Sequence, residues 1–225
     1  MQGRPVTGAP PGRGAVAAAA MASGFLSVLS LASLLYGYGL LALGLWLAAG
    51  AAGGAVAAYF AGYASGARRL VEAAGLERPP RPLVEPLYAS LASTVAVPLA
   101  PVLSYLAIVD VLRLAEAVEA EHPEVDAAEA VRRLLGGREA PPSPLWLAVA
   151  AAVAPPLMPF FVDAALRSLT VAACAAYEAV RLGPGRARLG DKPCRPDLVD
   201  VVVWSESPWD TVNLEAFSEK WSIQD

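Results

Sequence analysis

No charged residue occurs between Arg13 and Arg68. A helix rises about 1.5 Å per residue and a hydrocarbon core is about 30 Å thick, so roughly 20 residues make one crossing. The run from Gly14 to Ala67 is therefore long enough for two crossings joined by a tight turn. In lipid every backbone N–H and C=O must be satisfied internally, which a helical hairpin achieves. This one feature places the chain in a membrane.

Composition agrees. Of 225 residues, 56% are apolar and 17% charged, and the mean hydropathy is +0.48, too apolar for an ordinary soluble domain of this length. The only lysines are Lys192 and Lys220 against many arginines, a usage that fits GC-rich prokaryotic coding and admits a thermophilic source. Cys174 lies in an apolar stretch and Cys194 in a basic one, without CxxC spacing, so no structural disulfide is expected. Arg4 and Arg13 ahead of an apolar stretch raise the reading of a cleaved signal peptide. Signal h-regions run only about 7–15 residues, whereas this apolar stretch continues to Ala64, so retained helices are the better reading.

The expected fold is an all-α integral membrane protein with about four transmembrane helices, two of them kinked by proline, and a small soluble C-terminal segment. Residues 1–14 form a Gly/Pro-rich disordered tail and 15–66 a transmembrane hairpin turning at Gly37-Tyr38-Gly39. Residues 67–85 are a Pro-rich linker. Helices three and four occupy 86–181, with an amphipathic loop helix within 110–137. Residues 182–225 comprise a basic juxtamembrane stretch and an acidic, aromatic tail.

Gly50, Gly54, Ala58, Gly62 and Gly66 recur every fourth position and share one face of helix two. Lipid tails are as apolar as Leu, so small residues matter because they let helix backbones approach closely. Ala19, Ser23, Ser27, Ser30 and Ser33 form a matching small stripe on helix one, and the two are expected to pack together. Glu77 to Pro82 reads as an extended connector in preference to a PxxP ligand.

Helix three is expected over Pro86 to Val109, running on to His122, and helix four over Leu145 to about Leu166. Each carries a related proline motif: Val95 to Pro101 matches Val153 to Pro159 at five of seven positions. Pro98, Pro101, Pro156 and Pro159 remove helical hydrogen bonds, so both helices should kink near mid-bilayer. Broken helices in repeated halves build midplane sites in some transporters, where a repeat holding a single crossing would be inverted. No carboxylate, His or amide flanks either motif, which favours a duplicated structural kink. Asp163 and Arg167, four apart, are placed to form an intramembrane or interfacial ion pair.

With four crossings, arginine placement puts both termini in the cytoplasm of a cell-membrane protein. Re-entrant third and fourth helices would instead bring the loop from Asp110 to Ser143 to the cytoplasmic side. Near the C-terminus, Leu198 to Trp204 reads as a strand, and Ser207-Pro208-Trp209-Asp210 as a helix start ahead of Leu214, Phe217 and Trp221. An acidic piece with Trp204, Trp209 and Trp221 cannot bury them alone, so it should dock on this chain, a copy or a partner.

Chemistry is absent from the motifs. His122 is the only histidine; there is no Walker A loop, GxGxxG, HExxH or Cys/His cluster, and Ser65 stands one place late for a GxSxG elbow. No catalytic residue, cofactor or metal is expected, and a net charge of -4 without basic aromatic patches argues against nucleic acid. The expected partners are the lipid bilayer and other membrane subunits, or a second copy. Two functions remain: a non-catalytic scaffold or accessory subunit of a membrane complex, and a small transporter or channel component built on helices three and four.

Overall fold

The computed structural model describes residues 12–76, 79–123, 125–126, 129, 132, 143–185 and 193–205. All regular structure among them is helical. Three helical stretches are long and apolar enough to cross a membrane: Arg13–Leu35, Gly39–Ala74 and Pro155–Leu182.

α1 (Arg13–Leu35) and α2 (Gly39–Ala74) form an antiparallel hairpin. Gly37 turns the chain with φ 81, and the Gly37 and Tyr38 N–H groups cap the Leu34 and Ser33 carbonyls, a geometry only glycine adopts without strain. The small polar stripe of α1 closes this seam: the hydroxyls of Ser23 and Ser30 donate to the carbonyls of Ala49 and Ala42 at 3.0 and 2.7 Å.

The glycine stripe of α2 faces elsewhere, contrary to expectation. Gly50 and Gly54 lie against α3 (Pro86–Val95), where a Cβ on Gly50 would run into the Thr94 carbonyl and one on Gly54 would sit 2.8 Å from the Ser90 carbonyl oxygen. Gly62 and Gly66 lie against a later helix, Pro196–Trp204, beside Trp204 and the Val203 carbonyl. Ala58 is part-buried between the two contacts. Close backbone approach is thus used, but by two short helices in place of α1.

The expected continuous third helix is two helices. α3 ends at Val95, and α4 (Leu99–Glu121) runs back antiparallel, so that the Asp110 carboxylate accepts from the backbone N–H groups of Leu83 and Val84 at 2.7 and 3.2 Å. The expected fourth helix is likewise α5 (Leu145–Val153), a 3-10 turn at Pro155–Leu157, and α6 (Met158–Leu182), with Ser143 and Pro144 returning beside Ser168 and Val171. Ala96 and Ala154 occupy the equivalent breaks with φ/ψ of −129/90 and −126/86. The prolines explain the reversal. Extended backbone is what the residue directly before proline prefers, as Ala154 stands before Pro155, and Pro98, Pro101, Pro156 and Pro159 sit in turns or first helical turns, where no N–H is needed.

Both apices lie at the middle of the α1–α2 hairpin. Ala100 packs on Gly53, and a Cβ on Gly24 would sit 3.1 Å from the Pro155 carbonyl oxygen. Gly24 is eleven residues from each end of α1, roughly 16 Å at a helical rise. From there α4 and α6 descend to the end bearing Arg13, where Phe60, Phe161, Leu70, Ile108, Leu114, Leu169 and Tyr177 form the buried core.

Two further expectations fail. Residues Leu198–Trp204 form part of helix α7 (Pro196–Trp204) and no strand. Pro196 occupies the first helical position, Asp197 the first turn, and Leu198, Val199, Val202 and Val203 bury one helical face, which overrides the β preference of a Val-rich run. Cys174 and Cys194 are bonded, with Cα atoms 5.5 Å apart. Tertiary folding brings Cys194 onto α6, a proximity their spacing could not reveal. Of the span 110–137 expected to hold a loop helix, the part up to Glu121 is the end of α4, and Glu129 and Arg132 pair at 2.9 Å; residues 124, 127–128, 130–131 and 133–137 and the tail beyond Ser205 lie outside the described residues.

Candidate functional site

Two places collect the residues singled out in the sequence. The first is a cleft at the hairpin apices, where α1 and α2 continue past the ends of α3 and α5. Pro98, Val153, Pro155 and Pro156 line its floor, and Val28 and Trp46 its walls. Among its lining residues Ser27 donates to the Ser23 carbonyl at 2.8 Å, and Trp46 contributes an indole N–H. No charged side chain lines this cleft. Asp110 and Asp163 lie away from it.

The second is the polar end of the helix bundle, where α7 is clamped. Arg13, at the start of α1, makes a 2.8 Å ion pair with Asp200 and donates to the Thr170 hydroxyl at 3.0 Å. The Tyr63 hydroxyl donates to the other Asp200 oxygen at 2.8 Å. Trp204 packs on Tyr59 and Tyr63, its ring centroid 5.5 and 6.2 Å from theirs. Trp204 is therefore held within this chain; Trp209, Leu214, Phe217 and Trp221, expected with it to dock on a partner, lie outside the described residues.

Beneath the clamp, the buried Glu178 carboxylate accepts from Arg181 at 2.6 Å and from the Cys194 backbone N–H, which anchors the chain beside the disulfide. Both charges of this pair are hydrogen-bonded, as burial requires. Sequence spacing signalled none of these long-range partners.

Asp110 closes the base of the first hairpin, level with Arg68, beneath the apolar span. Burial pushes its carboxyl above the usual aspartate range, against the lowering by the Leu83 and Val84 N–H groups and by the Arg113 and Arg68 charges. Arg113 pairs with it at 3.6 Å. Asp163 and Arg167 meet at 2.8 Å on the outer face of α6, both mostly exposed. In water such a pair contributes little; at a lipid interface it lets each charge meet its partner while reaching toward headgroups.

Among the described residues no group of His, Cys, Asp and Glu is arranged to hold a metal ion. No protein-family model matches the chain, and neither curated proteins nor solved structures yielded a match.

Proposed function

We propose that this protein is a non-catalytic membrane scaffold or accessory subunit, in which two crossing helices, α1 and α2, carry two re-entrant hairpins, α3–α4 and α5–α6. The observation that carries this reading is the apex cleft: the proline breaks, where a transporter of this size would put its site, present a mainly apolar surface with no charged side chain and a Ser27 hydroxyl that is already bonded. The repeat is consistent with a structural role, since each copy contains a way in and a way out and the two run parallel, with no inversion needed.

Aromatic positions support the membrane placement. Tyr36 and Tyr38 are exposed at one end, and Tyr88 and Trp146, equivalent in the two copies, are exposed where the hairpins begin. Such residues prefer the bilayer interface. Gly39 to the level of Tyr88, near Ala58, spans about 28 Å by helical rise, close to one hydrocarbon thickness. Arg13, Arg68, Arg81 and Arg113 all lie at the Tyr88 end, with the Arg113 guanidinium reaching the Arg81 carbonyl at 3.5 Å. Positive charge marks the cytoplasmic face, so both termini and the loop from Glu121 to Ser143 belong there, in the cell membrane. The Cys174–Cys194 disulfide would then lie on the cytoplasmic side, where such bonds are rare outside hyperthermophile proteins.

The test is purification from the native membrane in mild detergent followed by identification of companions. A scaffold copurifies with a defined set of membrane proteins. Purification alone, together with solute flux in liposomes that changes in Asp110→Asn or Asp163→Asn, would overturn the reading in favour of a transporter.

A further inference from the structure

The two halves of the membrane-embedded region have very different widths. Between the arginine-bearing end and the apices, α1 to α6 all stand side by side. Above the apices, among the described residues, only α1 and α2 continue, exposed along Phe25, Leu31, Leu35, Leu40 and Leu43, at 56–90% for these residues. Helices have similar cross-sections, about 10 Å across, so the occupied area is roughly threefold larger in one leaflet than in the other.

We propose that this protein favours, and at high density generates, membrane curvature that is convex on its arginine-bearing face. The inference rests on the two-crossing, two-hairpin placement above. A body wide in one leaflet and narrow in the other adds more area to the first than to the second. A flat bilayer must then stretch one leaflet or compress the other, whereas a bilayer curved toward the wide side accommodates the wedge without that strain. Three features keep the wedge rigid. The backbone of α3 is seated on Gly50 and Gly54, Asp110 ties the hairpin base to Leu83 and Val84, and the second hairpin apex rests on Gly24. Tyr88 and Trp146 hold both hairpin bases at the interface, so the hairpins cannot slide deeper and even out the two halves.

The partner is the lipid surface itself, and the sign of the effect is fixed by orientation. The test uses full-length protein carrying a dye on Ser143→Cys, reconstituted sparsely in giant vesicles from which thin membrane tethers are drawn. An impermeant quencher reports which molecules have the arginine end outward. Outward-facing molecules should be enriched several-fold on the tether relative to the vesicle, and inward-facing ones depleted from it. A ratio of one for both orientations overturns the proposal, as does recovery of a flat preference because two copies pair through their narrow halves, seen as doubled single-spot brightness. A separate preparation labelled at Tyr38→Cys guards the premise. If the quencher reaches Ser143 and Tyr38 from the same side, the membrane placement itself is wrong; if it reaches them from opposite sides and the tether ratio is one, the curvature inference alone fails.

Discussion

Ala96 and Ala154 adopt the same backbone conformation at the same point of two hairpins, and each is followed by a tight turn: the Leu99 N–H donates to the Ala96 carbonyl at 2.8 Å, the Leu157 N–H to the Ala154 carbonyl at 2.9 Å. The two copies differ in sequence at the next position, Val97 against Pro155. Because proline stands there in one copy, Val97→Pro should be accepted in the other, with stability changed by no more than about 1 kcal/mol. Ala92→Pro, inside α3, should cost about 3 kcal/mol or more. Thermal melts in detergent compare the two; equal damage would mean that the copies do not share an apex.

The glycine contacts give a second contrast. Gly66→Ala would force its Cβ onto the Val203 carbonyl and displace α7, while Gly62→Ala meets only the rim of the Trp204 ring, 3.0 Å away and able to shift. Overpacking against backbone costs typically 1–3 kcal/mol. Proteolysis near residues 193–205 should therefore accelerate in Gly66→Ala and hardly change in Gly62→Ala. Equal rates would show that α7 is not seated on the glycines.

These elements also show what the sequence could and could not reveal. The α1–α2 hairpin was legible because a charge-free run and a central Gly-Tyr-Gly leave few alternatives. The glycine face was legible as a close-packing surface, but its partners were not, since a small residue specifies how near a helix can come and not which helix comes. The reversal at the prolines was hidden because an apolar segment reads the same whether it crosses or turns back. Leu198 to Trp204 reads as a strand in isolation because its β-branched content outweighs the helix-start signal of Pro196 and Asp197 that packing on α2 makes decisive.

The Cys174–Cys194 bond closes a loop with a sequence separation of 20. Constraining the unfolded chain by a loop of that size stabilises by about 3 kcal/mol. Cys194→Ser, or reduction in the detergent-solubilised protein, should lower the melting temperature accordingly and loosen the Glu178 contact to the Cys194 N–H. An unchanged melt, with mass spectrometry confirming that the bond was present and then lost, would contradict the anchoring role.

Asp110 provides a pH test. Its carboxyl binds a proton more tightly in the fold than in the unfolded chain, so its contribution to stability is fully present below the unfolded value, about 3.9, and is lost as pH rises through the folded one. Asp110→Asn keeps an acceptor for the Leu83 and Val84 N–H groups and should flatten that fall. Asp110→Ala leaves both N–H groups without their acceptor and should cost about 1–3 kcal/mol at every pH. Identical pH profiles for wild type and Asp110→Asn would remove Asp110 from this role.

Cysteine accessibility of Tyr38→Cys and Ser143→Cys in sealed native membranes bears most directly on the proposed membrane placement, since the native thiols are bonded and silent. An impermeant maleimide should label position 143 only from the side that exposes Arg13 and position 38 only from the opposite side. Labelling of both from one side would mean that α3–α4 and α5–α6 do not return to the face they leave, and the re-entrant hairpins would have to be abandoned.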